Sequence, residues 1–139
     1  MANPKDLIKK VSSALEESGA TRVKVAVTDI DGVLRGKYVH KDKFFSVLEN
    51  GMGFCNVVFG WDANDVCYDN VKFTGWHSGY PDGHVSLDPD TFRRIPWEGG
   101  LPFFLGDFED GKGKPLGVCS RAMSRAANAP SMPRPELKS

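Results

Sequence analysis

Apolar and polar positions alternate most regularly between Val23 and Lys37. There Val23, Val25 and Val27 are separated by Lys24 and Ala26, and Val33, Arg35 and Lys37 alternate with Leu34 and Tyr38 further on. A period of two places the three valines on one face of a buried strand. Asp31-Gly32 lies between the two runs, and both residues tolerate positive φ, so the pattern predicts a β-hairpin closed by a two-residue turn. A hairpin this short cannot bury itself, so the rest of the chain is expected to pack against it or extend it.

The remaining elements follow in order. Asn3 and Pro4 make a helix start, and Leu7, Ile8, Val11 and Leu15 share one face up to Gly19, which predicts an amphipathic helix of about four turns. Its polar face, with Lys5, Lys9, Glu16 and Glu17, reads as solvated surface. Residues 41–50 predict a short helix with Phe44, Val47 and Leu48 on one side, ended by Gly51 and Gly53. Residues 54–59 are an apolar run of buried-strand length. From Trp61 to Asp90 the periodicity dissolves into a long loop. Trp61, Tyr68, Phe73, Trp76 and Tyr80 are set there among glycines and Pro81, either to tether the loop or to form a pocket wall or partner contact. Residues 91–97, 101–108 and 115–119 read as three further strands, the last two joined by a glycine-rich loop at 110–114.

These elements predict an α+β fold: a β-grasp-like mixed sheet of five to six strands, with an amino-terminal helix and one packed helix. The organisation expected is an amino-terminal helix over residues 1–19, the sheet domain over 20–121, and a proline-rich tail over 122–139, disordered by composition and resembling the stub of a severed chain.

Composition narrows the function classes. The chain has 139 residues, enough for one core. It carries 18 basic and 18 acidic side chains with no dense basic run, so neither nucleic acid nor an anionic membrane is the expected partner. No apolar run approaches the roughly 20 residues of a spanning helix, and no signal core stands at the amino terminus. A soluble, cytoplasmic protein is expected. Cys55, Cys67 and Cys119 are odd in number and none are two residues apart, which points to reduced thiols rather than a disulfide framework or a zinc site. His40, His77 and His84 are separated by flexible glycines and proline and predict no metal centre. Gly111-Lys112-Gly113-Lys114 lacks the lysine-hydroxyl ending of a phosphate-binding loop, and no nucleophile with a partnered base is identifiable.

Two resemblances bear on chemistry. Residues 25–34, VAVTDIDGVL, resemble the first motif of haloacid-dehalogenase-type phosphatases, which would make Asp29 a nucleophile and Asp31 an acid/base beside magnesium. That fold needs repeated strand-helix units and a later acidic pair, which the chain does not offer; turn-forming aspartates are the other reading.

The second resemblance takes in more of the chain. TDIDGVLRGK at 28–37, VVFGWD at 57–62, LDPDT at 87–91 and IPW at 95–97 together resemble the amino-terminal β-grasp domain of glutamine synthetases, in the branch that includes glutamate-amine ligases such as γ-glutamylputrescine synthetase. The likeness covers roughly residues 20–121. It implies an ATP-dependent carbon-nitrogen ligase in which a separate catalytic domain holds magnesium or manganese and most of the nucleotide contacts. The small domain would bind no cofactor and would be inactive alone, completing the active site of a neighbouring subunit. The implied partners are glutamine-synthetase-type subunits or a catalytic domain, in a homo-oligomer. By this likeness Asp62 is the catalytic residue offered in trans to the incoming ammonium or amine, and Trp76 a substrate-side tryptophan. The chain departs from the pattern at Ala63-Asn64, where the family has glycine and serine, and at Ser120-Arg121, where it has proline-arginine. A stand-alone interaction or regulatory module is the alternative function.

Overall fold

The computed structural model describes residues 3–128. Helix α1 (Pro4–Ser18) starts as its sequence dictates: the Asn3 side chain accepts from the Lys5 amide at 3.0 Å, and Gly19 ends the helix in the left-handed region at φ 65°. Leu7, Val11, Ala14 and Leu15 are buried, whereas Ile8 sits off the docked stripe and stays 43% exposed.

Strands β1 (Arg22–Thr28) and β2 (Leu34–His40) form the predicted antiparallel ribbon, in register from Arg22↔His40 to Thr28↔Leu34. Its connection is wider than the expected two-residue turn and occupies residues 29–33. The Asp29 side chain binds the turn's own amides, an arrangement that a two-residue turn has no room for. Helix α2 (Lys41–Asn50) follows, and its Phe44 is fully buried.

Strand β3 is Met52–Cys55, not 54–59; a 3-10 turn over Asn56–Phe59 replaces the rest. Val58 and Phe59 both enter the core, which the side-to-side alternation of a strand forbids for neighbours. Strand β4 (Asp82–Leu87) lies inside the stretch expected to be loop. Its Gly83 is not a breaker but a point of close approach, where a Cβ would come within 2.8 Å of the Phe108 ring. Strand β5 is reduced to Arg93–Ile95 by Pro96, and β6 (Leu101–Glu109) is the long strand predicted. Residues 115–119 make a single bridge, Glu109↔Pro115, rather than a strand. Helix α3 (Ser120–Ala127) then forms where the tail was expected to begin; residues 129–139 lie outside the described residues.

Among the described residues the six strands form one mixed sheet ordered β2-β1-β6-β4-β3, with β5 beside the first half of β6 and β4 beside the second. At its centre β1 and β6 run parallel, Lys24 opposite Phe103. Helices α1 and α2 cover one face through Val11, Phe44, Val25 and Phe104. A second cluster, Val27, Val58, Phe59, Val85 and Phe108, continues the core under α3. This is the α+β, β-grasp-like mixed sheet expected from the sequence, with α3 as an additional helix.

Candidate functional site

Three loops of this domain are built alike, each around an aspartate. In each, one carboxylate oxygen accepts from the amides two and four residues on, the aspartate's own amide donates to the carbonyl four residues on, and a residue at positive φ stands third. Asp29 Oδ1 takes Asp31 and Val33 N–H at 2.9 and 2.8 Å. Asp62 Oδ1 takes Asn64 and Val66 at 2.8 and 3.0 Å. Asp110 Oδ1 takes Lys112 and Lys114 at 2.8 and 3.0 Å. The third positions are Gly32, Asp65 and Gly113, at φ 81°, 64° and 78°. This is a tight turn followed by a left-handed residue, stitched by the side chain.

Asp29 is fully buried, and its second oxygen accepts from Arg35 Nε at 3.0 Å. Both oxygens are engaged, Oδ1 by two amides and Oδ2 by Arg35, and the residue lies in the turn of an antiparallel ribbon. Asp29 is therefore a turn residue and has no exposed oxygen to attack phosphorus.

Asp62 differs from Asp29 in burial and in the use of its second oxygen. It is half-buried, and its Oδ2 takes part in neither of the bonds that hold the loop. Asp65, in the same loop, and Asp31, in the neighbouring turn, are both exposed. The Tyr68 hydroxyl is pushed above its ordinary range by partial burial, and then by the charges of Asp31, Asp62 and Asp29, the sign expected of an anionic surface patch. A bridge between Trp61 and Cys67 closes the base of the loop. Trp76 heads a separate 3-10 turn, Trp76–Ser78, in which Ser78 Oγ accepts from the Gly75 amide at 3.1 Å.

Arg35, not singled out from the sequence, joins the two loops. Its Nη2 donates to the Asp62 carbonyl at 3.0 Å, its Nη1 pairs with Asp65, and its guanidinium lies 4.9 Å over the Trp61 ring. A second polar cluster fastens α3 to the sheet: Arg121 and Arg125 together grip Asp88 and Asp107. Burial alone would raise Asp88, but the Arg121 hydrogen bond, the Asp90 amide and the two arginine charges hold it below the usual carboxylate range.

No group of three or more metal-ligating side chains occurs among the described residues. His40 caps α2, His77 meets the Lys72 carbonyl and His84 faces Glu109, so the structure does not bring the histidines together. Cys119 is buried, Cys55 half-buried and Cys67 exposed, all three as free thiols. No helix among the described residues is long and apolar enough to cross a membrane.

A mixed sheet with a central parallel pair, curled round packed helices, defines an α+β domain of the β-grasp kind. No family model matches the chain, but individual proteins do. It is 51% identical over 122 residues to type-1 glutamine synthetase 2 of Dictyostelium discoideum, covering 88% of this chain and 23% of that one. It is 36% identical over 124 residues to a glutamate–isopropylamine ligase of a Pseudomonas species, covering 88% and 27%. The fold matches a glutamine synthetase of Plasmodium falciparum with a TM-score of 0.62 at 14% identity, over 91% of this chain and 22% of that one. The chain belongs to the glutamine synthetase family and has the fold of its amino-terminal β-grasp domain. It spans about a quarter of the length of the relatives it matches.

Proposed function

We propose that this domain supplies the amine side of a glutamine-synthetase-type ligase active site, presenting Asp62 to a catalytic region on a neighbouring subunit. The observation that carries the reading is the divided use of Asp62: Oδ1 and the backbone fix the loop, while Oδ2 is held out of those bonds at an exposed edge of the domain. A carboxylate so placed attracts a cationic ammonium or amine and takes its proton, leaving a neutral nucleophile to attack an activated glutamate carboxyl. ATP and magnesium or manganese, which the family implies, would be held by the catalytic region. No group on this chain is assigned to them, and the domain alone is expected to be inactive. For Trp76 the proposed role is on the substrate side, and it rests on family likeness alone. The setting is cytoplasmic.

Two measurements test this. ATP- and glutamate-dependent phosphate release, assayed with several amines, should be absent for this chain alone; robust turnover overturns the reading. In a chimera where residues 20–128 replace the matching region of the isopropylamine ligase, Asp62→Asn should lower amine-dependent turnover about a hundredfold. Unchanged kinetics leave Asp62 as a turn residue only.

A second reading, an interaction module that docks on related subunits, is favoured by the outer sheet face. There a groove of about 590 Å³ is walled by Leu34, Tyr38, Phe103 and Trp97, and Trp97 is 85% exposed, an arrangement suited to protein contact. Co-elution with a full-length relative, abolished by Trp97→Ala, is the expected result. No association rejects it.

A further inference from the structure

We infer that Arg35 is the positioning residue for the Asp62 carboxylate, coupling the buried Asp29 turn to the exposed Asp62 loop. The inference rests on the role given to Asp62 above.

The geometry is specific to a guanidinium. One planar side chain donates from three nitrogens: Nε to Asp29 Oδ2 at 3.0 Å, Nη1 to the Asp65 carboxylate and Nη2 to the Asp62 carbonyl at 3.0 Å. Its guanidinium carbon also lies over the ring of Trp61, the residue just before Asp62. The anchor of this arrangement does not move easily. Asp29 is fully buried, accepts three hydrogen bonds on its carboxylate and sits at the end of β1, where Ser120 Oγ also holds its carbonyl at 2.9 Å. The other end is exposed, and there Asp65 must hold a left-handed backbone without the freedom of glycine. Arg35 therefore ties an exposed loop to a buried strand end at the one residue whose orientation matters.

Charge accounts for a second effect. Asp29 and Asp65 together outweigh the single positive charge of Arg35. The guanidinium thus orders the loop without supplying a net cation that would repel an approaching ammonium. A lysine in its place reaches one of these partners at a time and cannot stack flat on Trp61.

Arg35→Lys is the test variant, because it leaves a cation for Asp29 where Arg35→Ala would strand a buried charge. In the 139-residue chain, hydrogen exchange at the Asn64 and Val66 amides should quicken at least about tenfold, while the β1 and β2 ladder amides keep their protection. In the chimera described above, the same change should raise the KM for isopropylamine about tenfold with kcat within about twofold, the pattern of lost ground-state positioning. Unchanged loop protection, or an unchanged amine KM where Asp62→Asn is damaging, overturns the role of Arg35. An inert Asp62→Asn in that chimera instead overturns the reading of Asp62.

Discussion

Arg121 donates from one nitrogen, Nη1, to both carboxylate oxygens of Asp107, at 2.8 Å each. The same guanidinium reaches Asp88 with Nη2 at 2.6 Å, and all three side chains are largely buried. Removing the arginine leaves two carboxylates in low dielectric with only Arg125, itself half-exposed, to compensate. Arg121→Ala is expected to cost about 2–3 kcal/mol, and the exposed Arg125→Ala less than about 1 kcal/mol. Urea titration of both variants checks the order, and equal costs would show that the Arg121 contacts carry no special weight.

Acid should loosen the same junction. Asp88 has a folded pKa below its ordinary value, so its contribution is fully present above that ordinary value and is lost as pH falls through the folded one. Stability measured from pH 6 downward should therefore fall more steeply below about pH 4 for the parent than for Asp88→Asn. Parallel curves would contradict this.

The left-handed residue of the Asp62 loop offers a cleaner separation of strain from charge. Asp65→Ala gives up the pairing with Arg35 and keeps the positive φ, so it should destabilise by about 1–1.5 kcal/mol. Asp65→Gly gives up the same pairing but relaxes the backbone, and should stay within about 0.5 kcal/mol of the parent. Denaturant midpoints for the pair decide it, and an equally damaging glycine would place the whole effect in the ion pair.

Gly83 should resist even one methyl. A Cβ there meets Phe108 Cδ1 at 2.8 Å, and that ring is fully buried against Phe59 and Phe54. Overpacking of about 1–3 kcal/mol is expected for Gly83→Ala. By contrast, Gly111→Ala meets nothing within 4 Å and should be near neutral. Thermal melts of the two variants distinguish them.

How much of this was legible in the sequence depended on whether side chains or backbone set the local structure. The valine alternation of β1 located the ribbon and the inward face, because burial alone dictates it. The width of its turn was not legible, since Asp29 bonds to amides that only the folded loop brings near. Strand β4 was hidden because Gly83 and Pro81 read as breakers, whereas Gly83 is required by a ring contributed from another strand. Asp62 was reached through family likeness, and its use of one oxygen for the loop was not. Arg35 carries a weaker signal, its strand parity with the apolar Val39, which is buried and so turns Arg35 toward the covered side of β2. A charge on the covered side of a strand calls for a partner.

The central parallel pair joins residues about eighty positions apart in the chain, Lys24 beside Phe103. Long-range pairing of this kind is slow, because loop closure comes before any reward from contact. As the chain leaves the ribosome, β1 and β2 can zip together early, but the inner edge of β1 has no neighbour until β6 has been made. That edge is an open template for other strands during the interval. Yield on synthesis is therefore expected to depend on how quickly residues 101–109 arrive, and slowing translation upstream of them should divert chains into aggregates even though the finished fold is unchanged.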